Sequence, residues 1–438
     1  RPAVSQAARP LRPWDRPGAW LLEDVWPPLM WRMEPLYHLA AALWRRRLRR
    51  TTFVAIGGSL GKTTAKELTA AALATAGPTA RSFRNQNSGV RVAGNLLAVR
   101  RHDLFAVQEL SAGRPGHVGR AARLVQPRVA VMLGVRGTHT AAYASQEARA
   151  AEKAKLLDAL PPDGVAILNG DDPLVAGMAG RVRGRVVTFG ESPGCDLVAS
   201  EVSARFPDRL TCLVRFRDGH EQRVATRLVG AHWVPAVLGS LAVAWVLGVD
   251  LERAAAAMEA VEPFPGRMQP RELPNGAVIL RDDNNASLDA TRPALAVMAE
   301  ARARRRIVAL TDISDAGGHR KERLKLIAPL LASSADVVIL IGEGAGYGRN
   351  RLIEAGLAAG SALAFATLRE AAGHLRLELR AGDLALVKGR TTDHAARLFH
   401  AQLGDVACWK TRCGKHSLCD DCWQLGRGSP PSVPGPAA

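Results

Sequence analysis

The stretch Thr51-Thr52-Phe53-Val54-Ala55-Ile56-Gly57-Gly58-Ser59-Leu60-Gly61-Lys62-Thr63-Thr64 decides how this chain folds. Phe53 to Ile56 is a short apolar run with β-branched residues, the pattern of a buried strand. Glycines interrupt it, and Lys62-Thr63-Thr64 opens a helical pattern that runs to about Ala76. Strand, glycine loop and helix in that order aim backbone N–H groups at one spot, and the helix N-terminus adds partial positive charge there. The turn is therefore expected to bind phosphate. Gly58, Ser59, Gly61, Lys62, Thr63 and Thr64 would line it, with Lys62 on the outer phosphates and a Thr63 or Thr64 hydroxyl on Mg²⁺. The pattern is the short Gly-Ser-x-Gly-Lys-Thr-Thr form, because Ile56 stands where the longer phosphate-loop motif begins with glycine. The bland alternative is an ordinary glycine-rich strand-to-helix turn, which would not require the Lys-Thr-Thr sequence.

The 438 residues are 47% hydrophobic and 23% charged, a globular composition with room for two or three domains. The net charge of +18 comes almost entirely from arginine, and its one dense tract is Arg45 to Arg50. A diffuse cationic surface suits an anionic substrate or an anionic membrane. The interleaved aromatic and basic pattern of a nucleic-acid binder is missing from the core, so nucleic acid is not the expected partner. Against the arginine background, Lys62, Lys66, Lys153, Lys155 and Lys388 are informative, since arginine cannot supply a compact amine that deprotonates. No apolar run reaches the length of a membrane span and no signal peptide is visible. The expected location is cytoplasmic, with association at the inner face of the membrane left open.

Working outward, residues 1–50 carry Trp14, Trp20, Trp26, Trp31 and Trp44 among prolines and arginines, with helical spacing from Glu34. Two readings stand side by side: an interfacial membrane helix, or a helix packing its Trp face on the next domain. Residues 51–265 alternate strands and helices and read as a central ATP-binding domain with a small β-ribbon over residues 195–228. Residues 266–405 repeat the alternation as a second, Rossmann-like α/β domain. Residues 406–426 form a Cys-rich tail, and 427–438 are Gly/Ser/Pro-rich and read as disordered. The fold class is thus α/β, a doubly wound phosphate-loop domain followed by a second α/β domain and a tail.

Several further segments carry chemistry in a fixed order. They are Val107-Gln108-Glu109-Leu110-Ser111; His139; Glu152-Lys153-Ala154-Lys155; Ala166 to Pro173 with Asn169 and Asp171; Gly230-Ala231-His232-Trp233; Pro265-Gly266-Arg267; Arg281 to Ser287 with Asp282, Asp283 and Asn285; Asp312; and Val387-Lys388-Gly389-Arg390. With the glycine loop they resemble the Mur ligase family over about residues 51 to 400, most closely the branch that adds D-alanyl-D-alanine to a muramoyl tripeptide. The resemblance implies an ATP-dependent ligase that activates a carboxylate as an acyl phosphate for attack by an amine, in cell-wall or related polymer synthesis. Its partners would be ATP, a carboxylate acyl donor and an amino acid or dipeptide amine.

The resemblance also assigns roles. One Mg²⁺ would sit on Thr63 and Glu109. A second would use His139 and a carbamylated Lys153, with Lys155 as the alternative site of that modification. Asn169, Asp171 and His232 would lie near the nucleotide. Trp233 and Ala236 stand where relatives carry asparagines, so stacking on Trp233 would replace an amide reading adenine. Arg267 would touch ATP phosphate, Asp282 and Asn285 would face the nucleotide or the chemistry, and the Lys388 turn would meet the incoming amine as the domains close. Relatives carry a folded UDP-sugar-holding domain before the loop; the fifty residues here do not read as that domain, and Asn85-Gln86-Asn87-Ser88-Gly89-Val90-Arg91 shortens a family segment. Both departures leave the acyl donor open.

The tail places Cys408, Cys413, Cys419 and Cys422 around His416. Four thiolates in so short a segment are expected to hold Zn²⁺, with disulfides or an iron–sulfur centre as alternatives. Two rival functions remain on the sequence: a basic zinc-containing nucleic-acid module, and a degenerate ligase that binds nucleotide without turnover.

Overall fold

The computed structural model describes residues 9–10, 33–87, 89–136, 142–314, 318–411, 413, 418–422 and 424–425. His139, His416, the four tryptophans before residue 33, and residues 426–438 lie outside the described residues. The chain divides into two compact units, Arg1–Ala204 with Asp208–Glu262, and Arg205–Pro207 with Pro263–Ala438.

In the first unit the described strands are β1 (Arg9–Pro10), β2 (Thr52–Gly57), β3 (Thr79–Arg81), β4 (Phe105–Glu109), β5 (Val129–Met132), β6 (Val165–Asn169), β7 (Arg185–Gly190), β8 (Leu197–Ser203), β9 (Thr211–Phe216) and β10 (Glu221–Ala225). They form one sheet in the order β1-β3-β4-β2-β5-β6-β7-β8-β9-β10. Pairing is parallel up to β8, after which β9 and β10 run antiparallel. The expected β-ribbon therefore continues the main sheet, because Phe189 pairs with Leu197 in parallel. The central strand β2 has β4 on one side and β5 on the other. That is the switch point of a doubly wound sheet, where such folds bind ligands at the strand C-termini.

β2 is buried on both faces, which explains its unbroken apolar run. The helix that follows, Lys62–Ala74, packs Leu68 and Leu73 inward and meets the helix Val234–Val246, where the Ser240 hydroxyl donates to Ala65 O at 3.0 Å. Cutting Leu68 to alanine would cost about 2–5 kcal/mol. The helix Gln146–Ala154 gives way to a 3₁₀ turn at Leu157–Ala159.

The helix Glu34–Arg47 settles part of the opening ambiguity. Trp44 packs inward, with its indole N–H donating to Val99 O at 2.9 Å, and Arg45 covers the Phe53 ring at 4.1 Å. Its opposite face exposes Leu36, Leu39 and Leu43 at 61%, 58% and 51%. No helix among the described residues is long and apolar enough to cross a membrane.

The second unit has β11 (Gln269–Glu272), β12 (Val278–Asp282), β13 (Arg305–Leu310), β14 (Val337–Ile341), β15 (Ala362–Phe365) and β16 (Asp383–Lys388) in the order β11-β12-β16-β13-β14-β15. Only β11 runs antiparallel to its neighbour. The last strand thus inserts between β12 and β13, bringing residues a hundred positions apart to one edge of the sheet.

Candidate active site

The loop after β2 is built by conformation as well as by sequence. Gly58 has φ +141° and Gly61 φ +80°, values that side-chain-bearing residues rarely adopt, and a Cβ on Gly58 would meet the Leu133 Cβ at 3.1 Å. The loop is pinned to the end of β5: Ser59 N donates to Gly134 O at 2.9 Å, and Arg136 N donates to the Ser59 hydroxyl at 2.8 Å. The Lys62 ammonium lies over the loop and donates to Ser59 O at 3.0 Å.

At the start of the helix the Thr63 hydroxyl donates to Glu109 Oε2 at 3.0 Å, while Asn87 Nδ2 donates to Glu109 Oε1 at 2.7 Å. Glu109, at the C-terminus of β4, is buried. A hydroxyl and a carboxylate side by side suit a hard cation such as Mg²⁺. Asn87 was not singled out from the sequence, although it sits in the shortened Asn-x-Asn segment. Lys66 holds that segment in place: its buried ammonium donates to Ser82 O at 3.0 Å and Arg84 O at 2.5 Å and pairs with Glu67 at 2.8 Å.

The two candidate lysines of the helix Gln146–Ala154 point to different places. Lys153 is 3% exposed and donates to Gly58 O at 3.0 Å, inside the glycine loop. Burial, followed by the positive charges of Lys62 and Arg149, pushes its pKa down to about 7, against the pull of Glu152. Lys155 is half exposed and pairs with Glu152 Oε2 at 2.7 Å, whose other oxygen accepts from Val118 N at 3.1 Å. Of the two lysines, Lys153 is the one bonded to the loop. His139 lies outside the described residues.

Asn169 closes the same rim, donating from Nδ2 to Leu133 O at 2.9 Å. Asp171 does not join it. Its carboxylate accepts from Glu191 N at 2.7 Å and Ser192 N at 3.1 Å, so it is engaged by the turn after β7. Asp172, which sequence reasoning passed over, does the neighbouring work by accepting from Val135 N at 2.7 Å and capping the short helix Pro173–Ala176. The expectation that Trp233 offers a stacking face is corrected. Trp233 is 6% exposed, its indole N–H donates to Val229 O at 3.1 Å, and the half-buried His232 ring lies 4.6 Å from it, centroid to centroid. Its size and apolar body make it a packing residue at the start of the helix Val234–Val246. Ala236, one turn on, is the nearer neighbour of the loop: a Cβ on Gly61 would lie 3.9 Å from that of Ala236.

The second unit gathers its charged residues at the C-termini of β12, β16 and β13. Lys388 is buried and donates to Asp282 Oδ2 at 2.5 Å and Asn285 O at 2.6 Å. Burial lowers its pKa while Asp282 opposes the shift. Asn285 also caps its own turn, accepting at Oδ1 from Ser287 N at 2.9 Å. Gly389 allows the Lys388 turn to come close to β13, since a Cβ there would meet the Thr311 hydroxyl at 2.7 Å. Asp312 pairs with Arg323 at 2.8 Å and Arg390 at 3.4 Å. Arg267 lies in the turn whose Gly266, at φ +72°, would strike Asp283 Oδ1 at 2.6 Å if it carried a Cβ.

A phosphate loop with a hydroxyl–carboxylate pair and a buried lysine in one unit, and in the other a parallel sheet whose strand ends carry a lysine–aspartate pair, define a nucleotide-dependent ligase of two α/β units. The Mur ligase middle domain matches residues 56–244, and the Mur ligase glutamate ligase domain matches residues 266–391. Among curated proteins, the UDP-N-acetylmuramoyl-tripeptide–D-alanyl-D-alanine ligase of Mycobacterium tuberculosis is 30% identical over 384 residues, covering 82% of this chain and 74% of the relative. The chain belongs to the Mur ligase family, whose members are ATP-dependent ligases. Among solved structures, MurF from Acinetobacter baumannii superposes with a TM-score of 0.77 at 24% identity over 84% of this chain and 80% of that one. MurF from Thermotoga maritima in complex with ADP gives 0.72 at 21% identity over 84% and 83%. These likenesses bear on the fold.

Proposed function

We propose that the chain uses ATP to join the carboxylate of a peptidoglycan-precursor peptide to an amine of the D-alanyl-D-alanine class. The substrate classes follow the named activity of its M. tuberculosis relative. Bound ATP would supply the phosphoryl group that activates the carboxylate, and Mg²⁺ would offset the charge that develops on it.

The chain's own residues have separable tasks in this proposal. Gly58, Ser59, Gly61 and Thr64 form the phosphate cradle, and Lys62 orients the outer phosphates. Thr63 and Glu109 hold the cation, with Asn87 fixing the carboxylate. Lys153 is a buried amine that titrates near neutrality, so its neutral form can take up CO₂ as a carbamate, releasing one proton and becoming an anionic oxygen ligand. His139 would share that second cation. Asn169 and His232 border the nucleotide, while Arg267, Asp282, Asn285 and Lys388 serve the phosphate and the amine on the second unit.

The observation that carries the proposal is the Lys153 ammonium, buried at 3.0 Å from Gly58 O inside a phosphate loop. The test is phosphate release from ATP with Mg²⁺ and bicarbonate. Release that requires both an acyl donor and D-alanyl-D-alanine supports the proposal, as does its loss in Lys62→Ala and Lys153→Ala. Release unchanged by either substitution overturns it.

A peripheral membrane contact is a second, compatible proposal resting on one observation. Leu36, Leu39 and Leu43 are exposed on a helix whose last turn carries exposed Arg46 and Arg47 and which is followed by exposed Arg49 and Arg50. That combination suits an anionic bilayer surface. Sedimentation with phosphatidylglycerol vesicles, lost in a Leu36→Ser/Leu39→Ser/Leu43→Ser variant and in neutral vesicles, would support it; equal sedimentation of both proteins would overturn it.

A further inference from the structure

We propose that Cys408, Cys413, Cys419 and Cys422 hold one zinc ion, and that the metal-ordered tail braces the two strand-end turns of the second unit, residues 281–285 and 388–394. The role of those turns in receiving the amine rests on the function proposed above; the metal site does not.

The four cysteines are separated by up to fourteen positions, yet all line one small cavity with His394, Arg397 and Leu425. All four are free thiols. They do not converge: no three His, Cys, Asp or Glu side chains among the described residues are gathered tightly enough to grip an ion. An ion drawing thiolates in to about 2.3 Å would tighten the segment around itself. An all-sulfur donor set selects zinc over the harder cations that suit the oxygen site of the first unit. The segment has little else to fold it. Among its described residues the only regular element is the 3₁₀ turn Cys419–Asp421, and Cys419 is its one buried apolar residue. Segments of that kind are ordered by their metal.

What the tail touches gives the site a purpose. Asp420, next to Cys419, accepts from Arg281 Nη1 at 2.5 Å and Nη2 at 2.9 Å. The same buried guanidinium pairs with Asp283 at 3.2 Å, so an acidic side chain of the tail closes the turn after β12. Cys419 Sγ lies 3.3 Å from Nδ1 of His394, at the end of the turn after β16. Arg397, also buried, donates from Nη1 to Cys408 O at 3.2 Å and Lys410 O at 2.8 Å. The two turns are themselves joined: the Thr391 hydroxyl donates to Asn284 O at 2.8 Å, and Lys388 bonds Asp282 and Asn285. The cysteine cluster therefore stands behind the Lys388–Asp282 pair and holds both of its loops. Asp420 is a positioning residue in this arrangement.

The experiment uses the full chain, purified without chelator. Elemental analysis is expected to find one zinc per chain, released on thiol modification, and none in Cys413→Ser or Cys422→Ser. Asp420→Asn should keep its zinc, while amide hydrogen exchange quickens in 281–285 and 388–394 and KM for the amine rises several-fold with kcat little changed. Metal-free protein in which all six cysteines titrate as thiols, or with disulfides on intact mass, overturns the zinc site. Zinc present with exchange in both turns unaltered by Asp420→Asn overturns the brace. Zinc and faster exchange in a chain that does not turn over ATP would sustain this inference and defeat the ligase reading instead.

Discussion

The phosphate loop of the first unit and the strand-end cluster of the second are both lysine–carboxylate sites at the C-terminal edge of a parallel sheet, yet they are made in opposite ways. The first is nearly contiguous. Gly58 to Thr64 supply the cradle, and Glu109, Lys153 and Asn169 each reach it from one neighbouring element. Its lysine is held by a backbone carbonyl rather than by an acid. The second is assembled from segments around positions 282, 312, 390 and 420, and nearly every charge is matched: Lys388 with Asp282, Arg281 with Asp283 and Asp420, Arg323 and Arg390 with Asp312. The loop proposed to take an anion sets its lysines against backbone carbonyls, whereas the second cluster neutralises its charges internally. The first is expected to lose function when altered, and the second to lose stability.

The largest expected effect lies in the second unit. Lys388→Ala would leave the buried Asp282 carboxylate without its ammonium, at a cost of about 3–5 kcal/mol in urea unfolding. The paired change Lys388→Met/Asp282→Leu should recover most of that loss. If the single variant unfolds like wild type, the contrast between the units fails. Next comes Lys62→Ala, which should lower kcat about 100- to 1000-fold, as loss of one charged transition-state contact does, with the unfolding midpoint unmoved.

A pH profile sharpens the comparison further. Lys153 has its pKa lowered to about 7, so its amine is increasingly protonated below that pH. Carbamate formation needs the neutral amine, and turnover should therefore fall as pH drops through about 7 and hold on the alkaline side. In Lys153→Ala rescued by a short-chain carboxylic acid, that acidic limb should disappear. The smallest effect is expected for Asp171→Asn: about 0.5–1.5 kcal/mol of stability from its turn hydrogen bonds, with KM for ATP unchanged. A large rise in that KM would return Asp171 to the nucleotide.

The same contrast explains what could be read before the structure. β2, its loop and its helix were legible because periodicity and glycine placement are local. Glu109 and Lys153 were singled out through the ordered segments that carry the family resemblance, and the structure sets both against the loop. Asn87 and Asp172 were missed because their role is to orient a neighbour, and a single amide or acid in a loop carries no periodic signal. Trp233 misled because a substitution at a binding position was taken for a replacement of function, when its bulk had gone into packing. β11 escaped notice because Pro270 argues against a strand, a rule that does not hold at a sheet edge. The pairing of Arg281 with Asp420, 139 positions apart, has no local signature.

The central claim is that the buried amine at the glycine loop becomes a carboxylate. Incubation with ¹³C-bicarbonate followed by carbon NMR tests it most directly. The account predicts a carbamate resonance in the wild-type chain and in Lys155→Ala, absent in Lys153→Ala. A resonance that survives Lys153→Ala and vanishes in Lys155→Ala, or no resonance in a chain that still turns over ATP, would contradict it.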